Sequence, residues 1–448
     1  MRFWSLIICC LIVQPLWAGP PAKEKWTKLF NGKDLTGWKQ VNGKAKYEVL
    51  DGMIVGTCVK ESPNSFLATE KEYGDFILEV QIKIDADINS GIQFRSLQKP
   101  EDGRVYGYQM EVDHRKERAW SGGIYDEARR GWIYAVELNP TAKQAYKWGD
   151  WNNYRIECIG STIRTWVNDV PVAYLIDDAS LKGLIGLQVH SVYQPGQEGR
   201  KTYWKNIRIQ TENLKARPVD NITVVNLIPN TLSPVEKQQE FRLLWDGTST
   251  TGWRGAFKDM FPDKGWEIKD GVLSVLPSGG AESAHGGDII TDEKFGAFEL
   301  TFDFKFADGA NSGVKYFVDE KYLSTGSAIG MEYQILDDAR HPDAKEGVVG
   351  NRTLGSLYDL IPSIKISDVP RTWNEGRIRV YPDNRIEHWL NGRKIVEYQR
   401  GTPIFYALVA RSKYNVWEGF GMVEKGHILL QDHGDAVSFR SIKIRELK

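Results

Sequence analysis

The sequence is short of cysteine and has no excess of charge of either sign. Only 4 Cys occur in 448 residues, and two of these, Cys9 and Cys10, lie in the apolar N-terminal stretch. Cys58 and Cys158 remain, which excludes a disulfide framework and leaves open whether these two pair or are buried thiols. Lys and Arg number 58 against 59 Asp and Glu, for a formal net charge of −1. The chain lacks the excess of basic residues that nucleic-acid-binding proteins use to contact the phosphate backbone, so nucleic acid is not an expected partner.

Several catalytic signatures are missing as well. The sequence contains no G-x-S-x-G elbow, no H-E-x-x-H helix, no phosphate-binding loop and no clustered cysteine pairs, which argues against a serine hydrolase, a zinc protease and a nucleotide enzyme. The E-x-D-x-x-E strand of β-glucanase jelly rolls is also missing. A conventional secreted glycosidase with two carboxylates therefore stays open, but nothing in the sequence marks it.

The apolar run at the start of the chain has the layout of a secretory signal. Arg2 precedes an apolar stretch from Phe3 to Leu16, and the small residues Ala18 and Gly19 follow. The run is short for a membrane span of about 20 residues, so an uncleaved anchor is the weaker alternative. We expect a signal peptide at residues 1–19, a secreted or periplasmic protein, and no membrane span after cleavage.

A long segment of the sequence occurs twice. "NSGIQFR" at residues 89–95 returns as "NSGVKYF" at 311–317, and the flanking sequence matches too. Further matched pairs are "KLFNGKDLTGWK" with "LLWDGTSTTGWR", "YGDFILEVQIKI" with "FGAFELTFDFKF", "TWVND" with "HWLNG", and "GLQVH" with "LLQDH". A chain of this length exceeds what one core usually serves. The repeat therefore predicts two domains, at residues 25–212 and 241–448, joined by a proline-containing linker at 213–240.

Each copy shows the alternation of a half-buried strand. Phe76, Leu78 and Val80 alternate with polar or variable positions, and hairpin turns such as Asp51-Gly52 separate the strands. Many short strands with turn signals and hardly an amphipathic helix predict an all-β fold. We expect two tandem antiparallel β-sandwich domains of the concanavalin-like jelly-roll type.

Polar residues occupy strand positions where a sandwich does not need them. Glu332 and Gln334 lie two residues apart, on one face of a predicted strand, and Lys315 lies on a probable neighbouring strand. The first copy has Gln109 and Glu111 there, the same residue types in reversed order, with Gln93 and Arg95 opposite Lys315 and its neighbour. A solvated outer face with surface ion pairs is the alternative to a sugar-binding site.

Three of the seven histidines lie in strand motifs. They are His388, His433 and His190, and histidine is the usual proton-transfer group near neutral pH. A structural role is the alternative for each. The first copy has Thr165 opposite His388 and Val189 opposite Asp432, so the copies are not chemically equivalent.

Two further features are weaker. His341 lies close to Asp337 and Asp338, a spacing that allows a divalent cation but also suits an ordinary turn. Tyr358 recurs before an Asp in both copies, and a tyrosine at a strand end can stack on a sugar or brace a loop.

The motifs together resemble a known family, the 3-keto-disaccharide hydrolases. The residues that carry the resemblance include "LFNGKDLTGW", "WDGTSTTGW", "NSGVKYFV", "EYQILDD", "GSLYDLIP", "EHWLNGRKIVEY" and "LQDHGDAVSFRSIKI". It covers both copies, and the second copy is the closer match. The resemblance implies a jelly-roll fold and cleavage of glycosides oxidised at C3, in some members with a divalent metal. No nucleotide cofactor is expected, because the sequence has no phosphate-binding loop.

The resemblance also implies roles for particular residues. In the second copy His388 or Glu332 is the expected base, and Lys315 or an unassigned divalent metal stabilises the enolate. His433, Gln334 and Tyr358 are expected to bind substrate and relay protons. The first copy keeps Arg95, Glu111 and His190 as binding residues, and its changes at Thr165 and Val189 put its activity in doubt.

The predicted function is a secreted carbohydrate-active protein that cleaves 3-keto-glycosides. Removal of the C2 proton, which the C3 ketone acidifies, leads to elimination or hydrolysis at C1. A non-catalytic carbohydrate-binding protein and a conventional secreted glycosidase are the alternatives. A carbohydrate is the expected partner in all three cases.

Overall fold

A computed structural model of the chain describes residues 25–279, 282–283, 285–322, 327–364 and 372–448. The predicted signal peptide at residues 1–19 lies outside these ranges. Nearly all of the regular secondary structure in the described part is β-strand, and each copy is a sandwich of two antiparallel sheets, which confirms the predicted tandem jelly-roll class. No helix within the described ranges is long and apolar enough to cross a membrane.

The first copy contains fifteen strands and two short 3₁₀ helices, at Val136–Leu138 and Pro140–Gln144. The strands are β1 (Thr27–Lys28), β2 (Trp38–Val41), β3 (Lys46–Leu50), β4 (Met53–Thr57), β5 (Ser65–Thr69), β6 (Phe76–Ile84), β7 (Asn89–Gln98), β8 (Val105–Asp113), β9 (Ile124–Glu127), β10 (Gly131–Tyr134), β11 (Asn152–Ile159), β12 (Thr162–Val167), β13 (Val170–Ile176), β14 (Leu184–Val189) and β15 (Lys201–Gln210).

The remaining elements belong to the linker and the second copy. The described elements are β16 (Val225–Asn226), α1 (Pro234–Gln238), β17 (Arg242–Leu243), β18 (Trp253–Gly255), β19 (Trp266–Lys269), β20 (Val272–Val275), β21 (Ile289–Thr291), β22 (Phe298–Phe306), β23 (Asn311–Val318), β24 (Met331–Leu336), a 3₁₀ helix at Pro342–Lys345, β25 (Asn374–Val380), β26 (Arg385–Leu390), β27 (Arg393–Gln399), α2 (Pro403–Ala410), a 3₁₀ helix at Lys413–Val416, β28 (His427–Leu430) and β29 (Val437–Glu446).

Strand order repeats between the copies. The smaller sheet runs β2-β5-β14-β7-β8-β9-β10 in the first copy and β18-β21-β28-β23-β24 in the second. The larger sheet runs β3-β4-β15-β6-β11-β12-β13-β16, with β1 beside β15, and β19-β20-β29-β22-β25-β26-β27, with β17 beside β29. Strands in equivalent sequence positions therefore occupy equivalent places, as a duplicated domain requires.

Each core lies between its two sheets. Phe298, Leu300 and Phe302 alternate inward from β22 and are fully buried, because a strand presents every second side chain to one face. Cys58 and Cys158 are buried in the first copy as free thiols, so they do not form a disulfide. Burial raises the pKa of Cys158 to about 12.

The linker packs against both copies. Its strand β16 pairs in parallel with β13 at the edge of the first copy's larger sheet. Its helix α1 begins with a capping box of Ser233 and Glu236. Glu236 also forms an ion pair of 2.8 Å with Lys443 of the second copy. The two copies also touch directly, since Trp389 packs into the core of the first copy.

Candidate functional site

The outer face of each smaller sheet carries the polar strand residues. In β23, Ser312, Val314 and Tyr316 belong to the inward set, and Tyr316 reaches His388 on the opposite sheet. Asn311 and Lys315 therefore lie on the other side, away from the core. We call this outer face of β23, β24 and β28, and its equivalent on β7, β8 and β14, the site face.

Lys315 and Glu332 are direct neighbours on the site face of the second copy. They are paired residues of the antiparallel β23–β24 ladder, and both are nearly buried at 5% and 4% exposure. Gln334, two residues along β24, lies beside them and is fully buried. With its amide nitrogen facing acceptors, Gln334 donates to Glu332 Oε1 at 3.1 Å and to the Ser312 carbonyl at 2.9 Å. The structure thus brings together three of the predicted site residues.

The repeated Asn-Ser-Gly motif forms the floor of this site. A Cβ on Gly313 would lie 2.4 Å from Glu332 Oε1, so only glycine lets the carboxylate lie across β23. Ser312 donates to the Gln431 carbonyl at 2.9 Å and ties β23 to the strand beside it. In the first copy Gly91 makes the same space for the Gln109 side chain, with a Cβ contact of 2.4 Å.

Lys315 is a buried ammonium held by acidic neighbours. Its Nζ donates to Ser327 Oγ at 2.6 Å and lies 3.9 Å from Asp288. Burial by itself would lower the pKa of Lys315, but the carboxylates of Asp288, Glu332 and Glu282 outweigh it and raise the pKa. The residue therefore keeps its positive charge at neutral pH.

Glu332 is a carboxyl group with a raised pKa. Burial is the main cause, and the cations Lys315 and Lys413 partly offset it. Such a carboxyl is a stronger base than an exposed one. The arrangement suits proton abstraction next to a fixed positive charge.

His433 lies at the end of the same face. Its Nε2 is 3.3 Å from the Asn311 amide, and its Nδ1 is buried without a hydrogen-bond partner among the described residues. The ring of His341 is 6.1 Å away and perpendicular. An imidazole with one unoccupied nitrogen can carry a proton to or from a bound molecule.

Tyr358 lies beside Glu332 on the loop after β24. Its backbone N–H donates to the Glu332 carbonyl at 3.1 Å, and its hydroxyl donates to Asp343 at 2.8 Å. Burial and the two nearby carboxylates raise the pKa of Tyr358, which keeps the phenol neutral. The exposed Lys413 lies over its ring at 4.3 Å and adds a second cation to the site.

His388 does not join this cluster, contrary to the sequence-based expectation. It is fully buried between the sheets, where Nδ1 lies 3.0 Å from the Gly355 carbonyl and Nε2 lies 2.8 Å from the Tyr316 hydroxyl. Since a carbonyl only accepts, Nδ1 carries the proton and Nε2 accepts from Tyr316. Burial lowers the pKa of His388 to about 4, so the ring is neutral.

The first copy shows that this position has a structural role. Thr165, opposite His388 in the repeat, donates to the Gly122 carbonyl at 2.7 Å, and Gly122 precedes the same tyrosine motif as Gly355. Histidine and threonine thus satisfy the same buried carbonyl in the two copies. Alternation along β26 explains the placement, because Ile386 and Leu390 on either side also face the core.

The loop with His341 does not form a metal-ligand set. Asp337 accepts from the N–H groups of Gly309 and Ala339, and Asp338 accepts from the N–H of Leu354. Within the described ranges no group of three or more His, Cys, Asp or Glu side chains is arranged to hold a metal ion. The residues here act as loop caps.

The site face of the first copy has a different charge pattern. Gln93 and Gln109 stand where Lys315 and Glu332 stand, and their amides bond to each other at 2.9 Å. The carboxylate lies two residues further along the strand, at Glu111, which accepts from Asn89 and from Gln109. Burial raises the pKa of Glu111 to about 8.

Two other predicted residues of the first copy have separate positions. His190 lines the cavity on the site face and lies 5.2 Å from the Tyr193 ring. Arg95 lies away from that cavity, contrary to expectation. Its guanidinium binds the carbonyls of Gly74 and Gly160 and the carboxylate of Asp75, because a left-handed backbone at Arg95 turns the strand there.

Sequence reasoning missed several residues of the second copy's site. Asn311 and Gln431 stand in repeated motifs and could have been found from the alternation of β23 and β28. Asp288, Glu282 and Lys413 lie outside the motif matches, in segments that differ between the copies. Pattern matching between copies gives no signal for them.

Comparison with known proteins identifies the family. Residues 25–210 and 240–445 match the family described as the 3-keto-alpha-glucoside-1,2-lyase-like domain. The chain is 34% identical over 259 residues to a 3-keto-disaccharide hydrolase of Bacteroides thetaiotaomicron, an alignment of 53% of this chain and 85% of that protein.

Two solved structures from Parabacteroides distasonis, each described as a candidate glycosyl hydrolase, are also similar. One is 30% identical with a TM-score of 0.43, and the match covers 49% of this chain and 100% of that one. The other is 28% identical with a TM-score of 0.32, and the match covers 44% and 99%. Because the family match spans both copies and most of the chain, the protein belongs to the 3-keto-alpha-glucoside-1,2-lyase-like domain family.

Proposed function

We propose that this carbohydrate-active protein cleaves 3-keto-glycosides and that its second copy performs the cleavage. One observation carries the proposal: the buried carboxylate of Glu332 stands directly opposite the buried ammonium of Lys315 on the site face. A base beside a fixed cation is what proton removal next to a ketone requires. Family membership and the 3-keto-disaccharide hydrolase relative support the substrate class.

The proposed reaction starts at C2 of the oxidised sugar. Glu332 takes the C2 proton, and the electron pair of the C–H bond moves into the C2–C3 bond while the C3 carbonyl becomes an enolate. Lys315 stabilises the negative oxygen by its charge. The ketone re-forms as the C1–O bond breaks, which leaves a C1–C2 double bond and an alkoxide leaving group that takes up a proton. Addition of water across that double bond completes net hydrolysis.

Other side chains hold the reacting groups. Gln334 donates to Glu332 and fixes the orientation of the carboxylate. His433, with its unpartnered Nδ1, supplies the proton to the leaving oxygen. Tyr358 and Lys413 border the sugar, and Lys413 adds positive charge near the enolate. His388 has no part in these steps, because both of its nitrogens are engaged inside the core.

We also propose that the protein acts outside the cytoplasm. The apolar N-terminal stretch with its small residues at Ala18 and Gly19 supports export to the periplasm or the medium. Fractionation of producing cells, with N-terminal sequencing of the exported form, tests this. A cytoplasmic protein that retains its N-terminus would contradict it.

The test compares a 3-keto-glucoside with its unoxidised parent glucoside on the full-length protein. Turnover of the keto sugar alone is expected, with a C1–C2 unsaturated keto sugar as the intermediate. A substrate deuterated at C2 should react more slowly and lose its label to water. Binding without turnover would instead support a carbohydrate-binding protein, and turnover of the parent a conventional glycosidase.

A further inference from the structure

A cavity of about 420 Å³ lies on the site face of the first copy. Its walls are amide, carboxyl, imidazole, guanidinium and aromatic side chains of the first copy, together with one arginine of the second. This site is separate from the cleavage site proposed above, because it is built on β7, β8 and β14 rather than on β23, β24 and β28. The residues used below are Glu111, Trp120, Tyr125, Trp132, Gln188 and Arg393.

The floor of the cavity contains a buried amide without a partner. Gln188 is 1% exposed, and neither its amide oxygen nor its amide nitrogen has a hydrogen-bond partner in the described part of the chain. Leaving such a buried group unpaired is unfavourable. Glu111, 4% exposed, lies on the same floor. A ligand that offers both donors and acceptors, as sugar hydroxyls do, satisfies this floor.

The wall of the cavity is aromatic. Trp120 and Trp132 meet edge to face with ring centroids 4.9 Å apart, and Tyr125 meets Trp132 at 5.5 Å. All three rings are only partly buried, although apolar rings of this size normally enter a core. Partly exposed aromatic rings beside convergent hydrogen-bonding groups form a surface for the C–H faces of a sugar ring.

The second copy completes the cavity. Arg393, the first residue of β27, lines it and lies 5.1 Å from the centroid of Trp120 and 5.9 Å from that of Trp132. The neighbouring hairpin is fixed against the first copy, since a Cβ on Gly392 would lie 3.0 Å from Leu138. This arginine can therefore reach the same ligand as the first copy's aromatic side chains.

The charged pairs that we assign to cleavage in the second copy are replaced in this cavity. Gln93 replaces Lys315, so no ammonium faces the position of the enolate. Phe66 stands at the ladder position of Asp288, the counter-ion of Lys315. From these observations we propose that the first copy is a saccharide-binding site, completed by Arg393 of the second copy, that holds a glycosyl unit without cleaving it.

The experiment measures binding of the full-length protein to a panel of unoxidised oligosaccharides built on glucose, galactose, mannose, xylose and uronic acids. Titration calorimetry with the best member follows. Gln188→Leu should weaken binding at least about tenfold, or 1.4 kcal/mol. Arg393→Ala should weaken it about threefold or more by removing the second copy's contribution.

Matched variants keep the test specific. Gln431→Leu changes the counterpart of Gln188 in the second copy, and both it and Glu332→Gln should bind the panel within about twofold of the parent protein. If Gln188→Leu does not fold, as judged by its melting curve, Trp120→Leu takes its place with the same expected loss.

Three results would overturn the proposal. They are no binding by the parent protein to any member of the panel, undiminished binding by the first-copy variant, and loss of binding in Gln431→Leu instead. Failure of the cleavage proposal is a different result, because it appears as missing turnover of a keto sugar and leaves this binding measurement unaffected.

Discussion

The two copies share a fold but distribute charge differently on the same face. In the second copy a carboxylate, Glu332, faces an ammonium, Lys315, across one ladder pair. In the first copy that pair is Gln93 with Gln109, and the carboxylate of Glu111 lies two residues further along the strand. A shift of two residues along a strand keeps a side chain on the same face. A duplicated site can thus change its chemistry while its scaffold stays the same.

The buried charges change together. The second copy has both Lys315 and its counter-ion Asp288, and the first copy has Gln93 and Phe66 at these positions. An unpaired charge at such a site would cost several kcal/mol, so losing one partner alone would destabilise the domain. The difference between the copies is therefore a coupled replacement rather than scattered drift.

The segments that connect the larger sheet to the smaller one also differ in length between the two copies. Between β27 and β28 the second copy has residues 400 to 426, including α2, whereas the first copy has only residues 177 to 183 between β13 and β14. The longer segment brings Lys413 to Tyr358 and Glu332. The second copy thus gains a second cation from a segment that is much shorter in the first copy.

The largest expected effect comes from removing the carboxylate of the second copy. Glu332→Gln should lower kcat/KM on a 3-keto-glucoside about 10²–10⁴-fold, because the amide cannot accept the C2 proton. Steady-state kinetics measure this. Glu397→Gln, an exposed carboxylate on β27, is the control. A Glu332→Gln protein within a few-fold of the parent would contradict the role of the second copy.

The next effect concerns stability on the outer face of the second copy's larger sheet. Glu299 is 1% exposed and pairs with Arg377, Arg379 and Arg445. Glu299→Gln removes the carboxylate that the three guanidinium groups share, with Arg377 keeping a second carboxylate partner in Glu375, and should lower the free energy of unfolding by about 3–5 kcal/mol. Urea unfolding checks the loss.

The matched control and the pH dependence sharpen this comparison. Glu79 of the first copy pairs with Arg155 and Arg208 but is more exposed, so Glu79→Gln should cost only about 0–1 kcal/mol. Burial alone would raise the pKa of Glu299, but the three arginines outweigh it and hold the pKa below its ordinary value. The contribution of the Glu299 carboxylate to the free energy of unfolding is thus complete above about pH 4.3 and declines at lower pH. Equal losses of unfolding free energy in Glu299→Gln and Glu79→Gln would contradict this expected difference between the two carboxylates.

Removing the buried ammonium should affect both rate and pH dependence. Lys315→Met takes away the charge at the enolate and should lower kcat/KM about 10²-fold. Lys315 also holds down the pKa of Glu332, so its loss raises that pKa. The acidic limb of the kcat/KM profile should therefore move to higher pH. Lys413→Met, at an exposed position, should move it less, and the opposite order would contradict the assignment.

The smallest expected effect on activity comes from His388. His388→Phe should keep kcat/KM within about tenfold, since the ring lies in the core. The His388 ring has a pKa of about 4 in the folded protein and about 6.5 in the unfolded chain. The stabilisation that the neutral ring gives the folded state is therefore complete above pH 6.5 and declines by about 3 kcal/mol as the pH falls towards 4. Unfolding of the variant should depend less on pH across that window. A loss of activity greater than tenfold in a folded variant would restore His388 as the base.

Much of the fold was predictable because the repeat and the alternation carry it. The alternation of Phe298, Leu300 and Phe302 predicts both a β-strand and the side of that strand that faces the core. The spacing of two residues likewise predicts that Glu332 and Gln334 lie side by side on one face. The same rule applied to the "EHWLNG" motif would have shown that His388 shares a face with Ile386 and Leu390. Arg95 was misplaced because a local bulge with left-handed backbone interrupts the alternation.

The sequence by itself determined two copies, the all-β class, the family, and which strand residues share a face, since these follow from periodicity and motif. Only the tertiary structure decided that Glu332 faces Lys315 while His388 is sealed between the sheets, and that Arg393 of one copy enters the cavity of the other. Pairing between strands, and contact between domains, depends on how distant segments pack together, and no local pattern in the chain specifies that.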